Sequence, residues 1–240
     1  MSMTKKNIIL IHGWGARADK LLPLEKCLTV LGWSVKKIKL PGFDLANPLT
    51  SWGMQEYADY VLAKIKKYFG LQHVYLYGHS FGGKILLKLM SGKNSKNIKG
   101  IILNSPSGLS RDNVVKRYLV LVVAKTIKLL LFIPLTKDVA KKLYDFGQRR
   151  YYSKAKGIMK HVFQRVVKED LKPNVAKIKI PSLVLWGKDD TLTPVKDAFF
   201  LQRSLKKSSL VIVDNDNHLL PYNNPKIVAQ KIDQWQKTLS

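Results

Sequence analysis

Two kinds of residue are scarce in this chain of 240 residues, and each scarcity excludes something. Cysteine occurs once, as Cys27, so no disulfide can form within the chain, and a reducing compartment fits. Acidic residues number 16 against 42 lysines and arginines, which gives a formal net charge of +26. The basic first residues run directly into an apolar strand-like segment, which argues against a signal peptide. We therefore predict a cytoplasmic location.

Features that hold metals, nucleotides or membranes are missing as well. No group of cysteines and histidines has the spacing of metal ligands. No glycine-rich loop has the pattern of a dinucleotide or phosphate site. The apolar stretch 118–133 is too short for a membrane span and is interrupted by Lys125 and Lys128. We expect no metal and no cofactor.

The positive charge has several interpretations. Solubility or genome base composition accounts for it without any function, because most of the basic residues are lysines spread over the whole chain. The functional alternatives are attraction to an anionic membrane surface, to an acidic carrier protein or to an anionic substrate. Specific nucleic-acid binding is the weakest alternative, because no recognised binding motif accompanies the charge.

Apolar strand-like runs alternate with helical patterns along most of the chain. The strand-like runs lie near residues 7–11, 33–40, 73–77, 98–103, 182–186 and 210–213, and the helical patterns near 20–31, 54–69, 82–91, 195–206 and 226–238. This alternation predicts an α/β fold with a mostly parallel, doubly wound sheet. Apolar residues make up 46% of the chain, which is enough for one sizeable core.

The alternation stops between residues 109 and 173. This segment has helical patterns without an intervening strand, and it is much longer than an ordinary connection. We predict that residues 1–108 and 174–240 form the core and that 109–173 is a helical insertion.

The sequence Gly-His-Ser-Phe-Gly-Gly at residues 78–83 joins a strand-like run to a helical one. A serine at the centre of Gly-x-Ser-x-Gly in this context sits on a sharp turn that pushes its hydroxyl out of the sheet. The following helix points its first N–H groups at the serine. Ser80 is therefore the candidate nucleophile.

A serine hydroxyl needs a base to take its proton and an acid to orient that base. His218 is the candidate base, because it lies in a loop after the late apolar run 210–213. The other four histidines lack this setting, and we expect one of them to point beneath the nucleophile turn. They are His12, His73, His79 and His161, of which His79 is the one beneath the turn.

Two neighbouring aspartates are candidates for the acid. Asp189 and Asp190 follow the apolar run 182–186, and an acid at the carboxyl end of a strand is well placed. Asp190 is preferred and Asp189 is the alternative, whereas Asp214 and Asp216 are expected to shape a turn. The chain order serine, aspartate, histidine fits one type of triad.

Four separate motifs make this chain resemble the α/β-hydrolase fold family over nearly its whole length. They are His-Gly-Trp-Gly at 12–15, Gly-His-Ser-Phe-Gly-Gly at 78–83, Trp-Gly-x-x-Asp-x-x-x-Pro at 186–194, and His218 followed by Pro225. In that family the acid stands midway between the tryptophan and proline positions, which favours Asp190. The resemblance implies an α/β-hydrolase fold with an inserted helical cap.

The resemblance also implies donors for the negative charge that builds on the carbonyl oxygen during attack. In the family these are the backbone N–H groups of the residue after His-Gly and of the residue after the nucleophile. They correspond to Trp14 and Phe81 here. The side chains of Trp14 and Phe81 are expected to line an acyl pocket, together with Leu219, which follows the candidate base.

By the same resemblance, residues 109–173 form a cap that folds over the nucleophile and selects substrates. Its stretch 118–133 is apolar around most of its circumference, which suits either a helix buried against the core or a surface for lipid or an acyl chain. The cap is especially basic, with Lys141, Lys142, Arg149, Arg150, Lys154, Lys156 and Lys160. Its aromatic residues suit an apolar pocket or simple packing: Tyr144, Phe146, Tyr151, Tyr152 and Phe163.

The resemblance implies a serine hydrolase that cleaves carboxylic esters through an acyl-enzyme, with lactones and thioesters as chemically equivalent substrates. One alternative is a methyl ester esterase that acts on acyl chains held by an acidic carrier protein, suggested by the His-Gly-Trp-Gly loop and the basic cap. A carbon–carbon bond hydrolase is less favoured, because such relatives carry an aromatic residue where this chain has Leu219. The last alternative is a non-catalytic binding protein on the same scaffold.

Overall fold

Six strands form one sheet in the protein, for which a computed structural model describes residues 6–92, 96–109 and 157–239. They are β1 (Lys6–Ile11), β2 (Trp33–Lys37), β3 (Val74–His79), β4 (Ile98–Asn104), β5 (Ser182–Gly187) and β6 (Ser208–Val213). Their order across the sheet is β2-β1-β3-β4-β5-β6, and all neighbours pair in parallel. The predicted α/β fold with a doubly wound sheet is confirmed.

Helices cover both faces of this sheet. In chain order they are α1 (Leu22–Val30), α2 (Met54–Phe69), α3 (Phe81–Met90), α4 (Ile158–Lys168), α5 (Lys172–Val175), α6 (Lys196–Ser204), α7 (Leu220–Asn223) and α8 (Pro225–Lys237), with a 3₁₀ turn at Ala18–Leu21. The helices α1 and α8 contact each other on one face, and α2 and α3 contact each other on the other face.

Consecutive residues of β1 divide between two apolar clusters, one on each face. Ile9 and Ile11 pack with the α2 and α3 side, whereas Ile8 and Leu10 pack with the α1 and α8 side. All four side chains are fully buried. Because successive side chains of a strand point to opposite faces, a strand covered on both faces reads as one continuous apolar run.

The strand β2 is shorter than the predicted 33–40. It ends at Lys37, although the amide of Ile38 still donates to the carbonyl of Leu10 at 3.0 Å. The carbonyl of Leu40 then accepts from the amides of Phe43 (3.2 Å) and Asp44 (3.1 Å), which closes a turn. This turn ends the pairing with β1 and brings residues 43 and 44 to the carboxyl edge of the sheet.

The predicted cap, 109–173, lies mostly outside the described residues, and the division of the chain into core and cap stays a prediction. The apolar stretch 118–133 falls there, and so do Lys141, Lys142, Tyr144, Phe146, Arg149, Arg150, Tyr151, Tyr152, Lys154 and Lys156. Residues 157–173 are described and contain α4 and the start of α5. In the described ranges, no helix is both long enough and apolar enough to cross a membrane.

Strand β3 and helix α3 cross so closely that only glycine fits at the contact. A Cβ atom at Gly78 would lie 2.5 Å from the carbonyl carbon of Gly82 and 2.6 Å from the nitrogen of Gly83. Any larger residue would force backbone away from backbone, which a side-chain rotation cannot relieve. The glycine therefore fixes how the turn between strand and helix is held.

We expect Gly78→Ala to lower the free energy of unfolding by about 3 kcal/mol, because overpacking at a fixed backbone contact costs roughly this much. Thermal unfolding followed by circular dichroism measures the effect. Gly92→Ala is the matched control, since the nearest atom to a Cβ there is the Leu89 carbonyl oxygen at 3.6 Å. An equal change in melting temperature for both variants would contradict the close crossing.

Candidate active site

Two loops meet at the carboxyl edge of the sheet. Strand β1 lies beside β3, with Ile11 next to Gly78, but the chain continues from β1 to β2 on the opposite side. Where strand order reverses in this way, the connecting segments leave a crevice at the carboxyl ends of the strands. The loop 12–15 and the turn at Ser80 border that crevice.

Ser80 occupies a strained turn. It follows β3 directly and has φ +51° and ψ −108°, a region that non-glycine residues rarely adopt. Its amide donates to the carbonyl of Asn104 (2.9 Å), and its own carbonyl accepts from the amides of Lys84 (3.0 Å) and Ser107 (3.1 Å). A serine before a helix usually caps it with its hydroxyl, but Ser80 does not cap α3. The hydroxyl of the half-buried Ser80 therefore makes no hydrogen bond to the first amides of α3.

A carboxylate and an imidazole are held together at the same edge. Asp190 follows β5, and His218 lies between β6 and α7. The Oδ2 atom of Asp190 lies 2.8 Å from Nδ1 of His218, and both side chains are buried. The amides of Leu192 (2.8 Å) and Thr193 (2.9 Å) donate to Oδ1, and the Thr193 hydroxyl (2.7 Å) donates to Oδ2.

These contacts determine the charge of Asp190, the candidate acid, and the tautomer of His218, the candidate base. Burial acts to raise the pKa of Asp190, but the hydrogen bonds from His218 and Thr193 outweigh it and hold the pKa below its ordinary value. The ionised carboxylate accepts the Nδ1–H of the ring, which leaves the lone pair of Nε2 available to take a proton.

His218 is tied to the Ser80 turn through His79. Nε2 of His79 lies 2.8 Å from the carbonyl oxygen of His218, and Nδ1 lies 3.1 Å from the hydroxyl of Tyr222. Burial, followed by the neighbouring His218, lowers the pKa of His79 to about 3, so the ring is neutral. Because a carbonyl oxygen only accepts, His79 carries its proton on Nε2 and accepts the hydroxyl proton of Tyr222.

The loop after β1 lies directly against the serine. A Cβ atom at Gly13 would lie 3.3 Å from Cβ of Ser80 and 3.1 Å from Nδ1 of His79. Trp14 follows in this loop, and Phe81 is the first residue of α3. Within the described part of the chain, neither of their amides donates to another backbone carbonyl. Both N–H groups are thus available to an oxygen bound beside Ser80.

A buried pair of side chains, His12 and Asp44, holds this loop, and Asp44 is not among the residues that the sequence motifs single out. Nε2 of His12 lies 2.8 Å from Oδ2 of Asp44, and Nδ1 lies 2.9 Å from the carbonyl oxygen of Gly13. That carbonyl shares a planar peptide group with the Trp14 N–H, so the contact fixes the direction of the N–H. Burial lowers the pKa of His12, against the opposing effect of Asp44.

Aromatic side chains stand next to the loop and the turn. The ring of Trp14 lies 4.9 Å from Phe43, 5.2 Å from Phe81 and 5.1 Å from Phe163, measured between centroids. We call these four residues the aromatic wall. Phe43 had no sequence signal, because it reaches the wall through the turn after β2. Leu219 adjoins the candidate base in the chain and is 46% exposed.

Of the two aspartates that are candidates for the acid, Asp190 is the one in contact with His218. Asp189 is exposed, and Asp214 pairs with the exposed Lys188 at 2.8 Å. Asp216 accepts from a neighbouring amide (2.8 Å) and an asparagine side chain (2.7 Å), as expected for a turn. Among the described residues, no three or more His, Cys, Asp or Glu side chains are grouped as metal ligands would be.

Comparison with known proteins gives concordant results. A family described as serine aminopeptidase, S33, matches residues 2–223 of the chain. The AB hydrolase superfamily protein YisY of Bacillus subtilis (strain 168) is 24% identical over 261 aligned residues, which span 96% of this chain and 91% of that protein. A pimeloyl-(acyl-carrier protein) methyl ester esterase of Neisseria meningitidis serogroup C is 24% identical and covers 89% and 86% of the two chains.

A solved structure described as a membrane phospholipase A, a novel bacterial virulence factor, has a TM-score of 0.74 and 25% identity to this chain. The alignment covers 99% of this chain and 80% of that one. The fold of the sheet and its helices is thus shared over essentially the whole protein.

With a p-nitrophenyl ester as the test substrate for the candidate site, we expect Asp190→Asn to lower the hydrolysis rate on the order of a thousandfold or more, because an amide no longer favours the Nδ1–H tautomer of the candidate base. Asp189→Asn is the matched control, since this neighbour is exposed, and its rate should stay within about twofold. Steady-state kinetics on both folded variants measures the effect. The opposite pattern would assign the acid to Asp189.

Proposed function

This chain belongs to the serine aminopeptidase S33 family and has the α/β-hydrolase fold, and on that premise we propose that it hydrolyses carboxylic esters with Ser80 as nucleophile. The observation that carries the proposal is the 2.8 Å hydrogen bond between Asp190 and His218 at the edge where Ser80 sits on its strained turn. The hydrogen bond from His79 to the His218 carbonyl supports it, since it ties base and nucleophile turn together.

In the proposed reaction, Oγ of Ser80 attacks the ester carbonyl while Nε2 of His218 takes the hydroxyl proton. The ionised Asp190 stabilises the imidazolium that forms. Collapse of the tetrahedral intermediate expels the alcohol, which receives the proton from His218, and leaves an acyl group on Ser80. Water activated by His218 then releases the acid and restores the serine.

The negative charge on the carbonyl oxygen needs donors that are already in place. The amides of Trp14 and Phe81 suit this role. The direction of the Trp14 N–H is fixed because His12 contacts the carbonyl of the same peptide group, that of Gly13. The Phe81 N–H is the first amide of helix α3. A single donor of this kind typically contributes 10²–10³ in rate. Phe81 follows Ser80 directly, and Gly13, the residue before Trp14, lies against the side chain of Ser80.

The substrate we propose has an apolar acyl part. The aromatic wall offers an apolar surface beside the nucleophile. Leu219, the neighbour of His218 in the chain, is a further apolar side chain that is exposed. The names of two similar proteins, a methyl ester esterase and a phospholipase, agree with acyl esters. Lactones and thioesters pass through equivalent intermediates and belong to the same proposal.

An ester suits the site better than the aminopeptidase substrate in the family's description. A free α-ammonium group would need an unpaired carboxylate, but among the described residues the two buried carboxylates beside the site, Asp44 and Asp190, already accept several hydrogen bonds. The formal net charge of +26 also repels a cationic substrate. The same charge suits anionic or carrier-bound substrates.

A second candidate is hydrolysis of a methyl ester on an acyl chain held by an acidic carrier protein. The net charge of +26 and the likeness to a methyl ester esterase of this kind favour it. It uses the same residues as the general proposal and differs in what presents the substrate. A cytoplasmic location is part of both proposals.

We expect p-nitrophenyl esters, tested from acetate to palmitate with homoserine lactones in parallel, to be hydrolysed, and the chain length with the highest rate then measures the size of the acyl pocket. Ser80→Ala should reduce the rate on the order of a millionfold, to background, while the protein stays folded by circular dichroism. An aminoacyl p-nitroanilide serves as the peptidase substrate. Hydrolysis of the anilide in preference to every ester would overturn the ester proposal, and an ester rate unchanged in Ser80→Ala would overturn the mechanism.

For the second candidate, we expect Arg149→Glu/Arg150→Glu to lower turnover of a carrier-bound methyl ester about tenfold and to leave a small soluble ester unaffected, because reversed charge opposes an acidic carrier. Lys206→Glu/Lys207→Glu is the control with the same charge change. Those lysines are exposed and precede β6, at the edge of the sheet opposite to Ser80. Equal loss on both substrates would count against a carrier.

A further inference from the structure

A lysine lies buried in the helix that follows the nucleophile. Lys84 stands one turn after Ser80 in α3, and 2% of its surface is exposed. Lysine is almost never fully buried unless its ammonium group has partners, because removing the charge from water is costly. A methionine would fill a similar volume without that cost, so the contribution of Lys84 lies in its hydrogen bonds rather than in packing.

The partners of this ammonium group lie at the carboxyl end of α4. Nζ of Lys84 donates to the carbonyl of Val166 at 2.5 Å and to the carbonyl of Glu169 at 2.8 Å. The last carbonyls of a helix have no partner within the helix and carry partial negative charge. A second lysine of α3, Lys88, bonds the side chain of Glu169 at 2.7 Å. Two lysines of helix α3, Lys84 and Lys88, therefore bind the carboxyl end of α4.

The surroundings of Lys84 are built to fit it. Gly108 has φ +90°, and a Cβ atom there would lie 2.8 Å from Nζ of Lys84. The carbonyl of Gly108 accepts from the amide of Leu171 at 3.3 Å, so the segment after α4 is fastened to the same place. Burial lowers the pKa of Lys84 to about 8, against the opposing effect of Glu169 and Asp170.

Helix α4 carries one member of the aromatic wall. Phe163 of α4 packs on Trp14, whose amide is a proposed donor to the substrate oxygen. On the same helix, Met159, Val162 and Val166 are buried in the core. The position of α4 along its axis thus decides where the ring of Phe163 stands relative to the loop beside the nucleophile.

We propose that Lys84 is a positioning residue that determines acyl-chain selectivity, because its ammonium group holds the end of α4 where Phe163 completes the aromatic wall. This inference rests on the proposed ester hydrolysis at Ser80. It assigns Lys84 no contact with the substrate. Lys84 affects substrate binding indirectly, because it positions α4 and thereby Phe163. We expect this effect to be larger for longer acyl chains, which contact more of the aromatic wall.

The test compares Lys84→Met with wild type on p-nitrophenyl acetate and p-nitrophenyl octanoate. We expect KM for octanoate to rise about tenfold while kcat changes less than about threefold, and KM for acetate to change far less than KM for octanoate. Lys84→Gln keeps a neutral donor on a shorter side chain and should give an intermediate KM for octanoate. Lys66→Met is the control for loss of an exposed lysine, on α2.

Hydrogen exchange provides a readout that does not depend on activity. In Lys84→Met, we expect backbone amides of 158–168 to exchange faster while those of β3 and β4 keep their wild-type rates. If the methionine variant does not fold, Lys84→Gln supplies both measurements.

Two outcomes would overturn the proposal: equal loss of kcat/KM on acetate and octanoate, or unchanged KM for octanoate with unchanged exchange in α4. If wild type hydrolyses neither ester, the proposed function fails instead. The exchange measurement then decides whether Lys84 holds α4, and unchanged exchange would overturn that as well.

Discussion

The backbone turn at Ser80 is the constraint from which the rest of the site is built. Its positive φ costs on the order of 1–3 kcal/mol, and three backbone hydrogen bonds, to Asn104, Lys84 and Ser107, hold it in place. These bonds join β3, α3 and the end of β4 at one point. The glycine contact between Gly78 and Gly82 brings strand and helix close enough for this arrangement. In this arrangement the hydroxyl of Ser80 makes no capping hydrogen bond to its own helix.

Asp190 and Lys84 are two of the buried charged residues around this turn, and hydrogen bonds to both compensate for the loss of water. Asp190 is ionised because amides and a hydroxyl of its own loop, together with His218, donate to it. Lys84 is buried with its ammonium group on carbonyls at the end of α4. In our proposals, the carboxylate of Asp190 orients the candidate base, whereas the ammonium group of Lys84 orients helix α4. Both would be expensive if any partner were removed, which makes the surrounding geometry rigid.

Much of the fold could be predicted, because a parallel strand covered on both faces is a continuous apolar run and is visible without knowing its neighbours. The prediction of a strand was wrong for residues 38–40. The side chains of Ile38 and Leu40 are buried, but the strand has already ended before the turn at Leu40 and Pro41. In β1, β3, β4 and β5 most of the paired residues are also buried, so an apolar run by itself does not show where strand pairing ends. Asp190 was preferred over Asp189 through motif spacing, and the two differ in the structure by burial and by contact with His218. The extent of the cap, 109–173, remains a prediction.

The sequence by itself determined the elements and the local motifs: a serine between glycines after a strand, an aspartate after another strand, and a histidine in a late loop. Only the tertiary structure decided which distant side chains support them. Tyr222 meets His79 across 143 positions, and Lys84 meets Val166 across 82. Such pairs follow from the order of strands in the sheet and from the packing of helices on it. No local sequence pattern predicts these pairs, because the residues around a buried lysine or histidine do not indicate which distant residue it contacts.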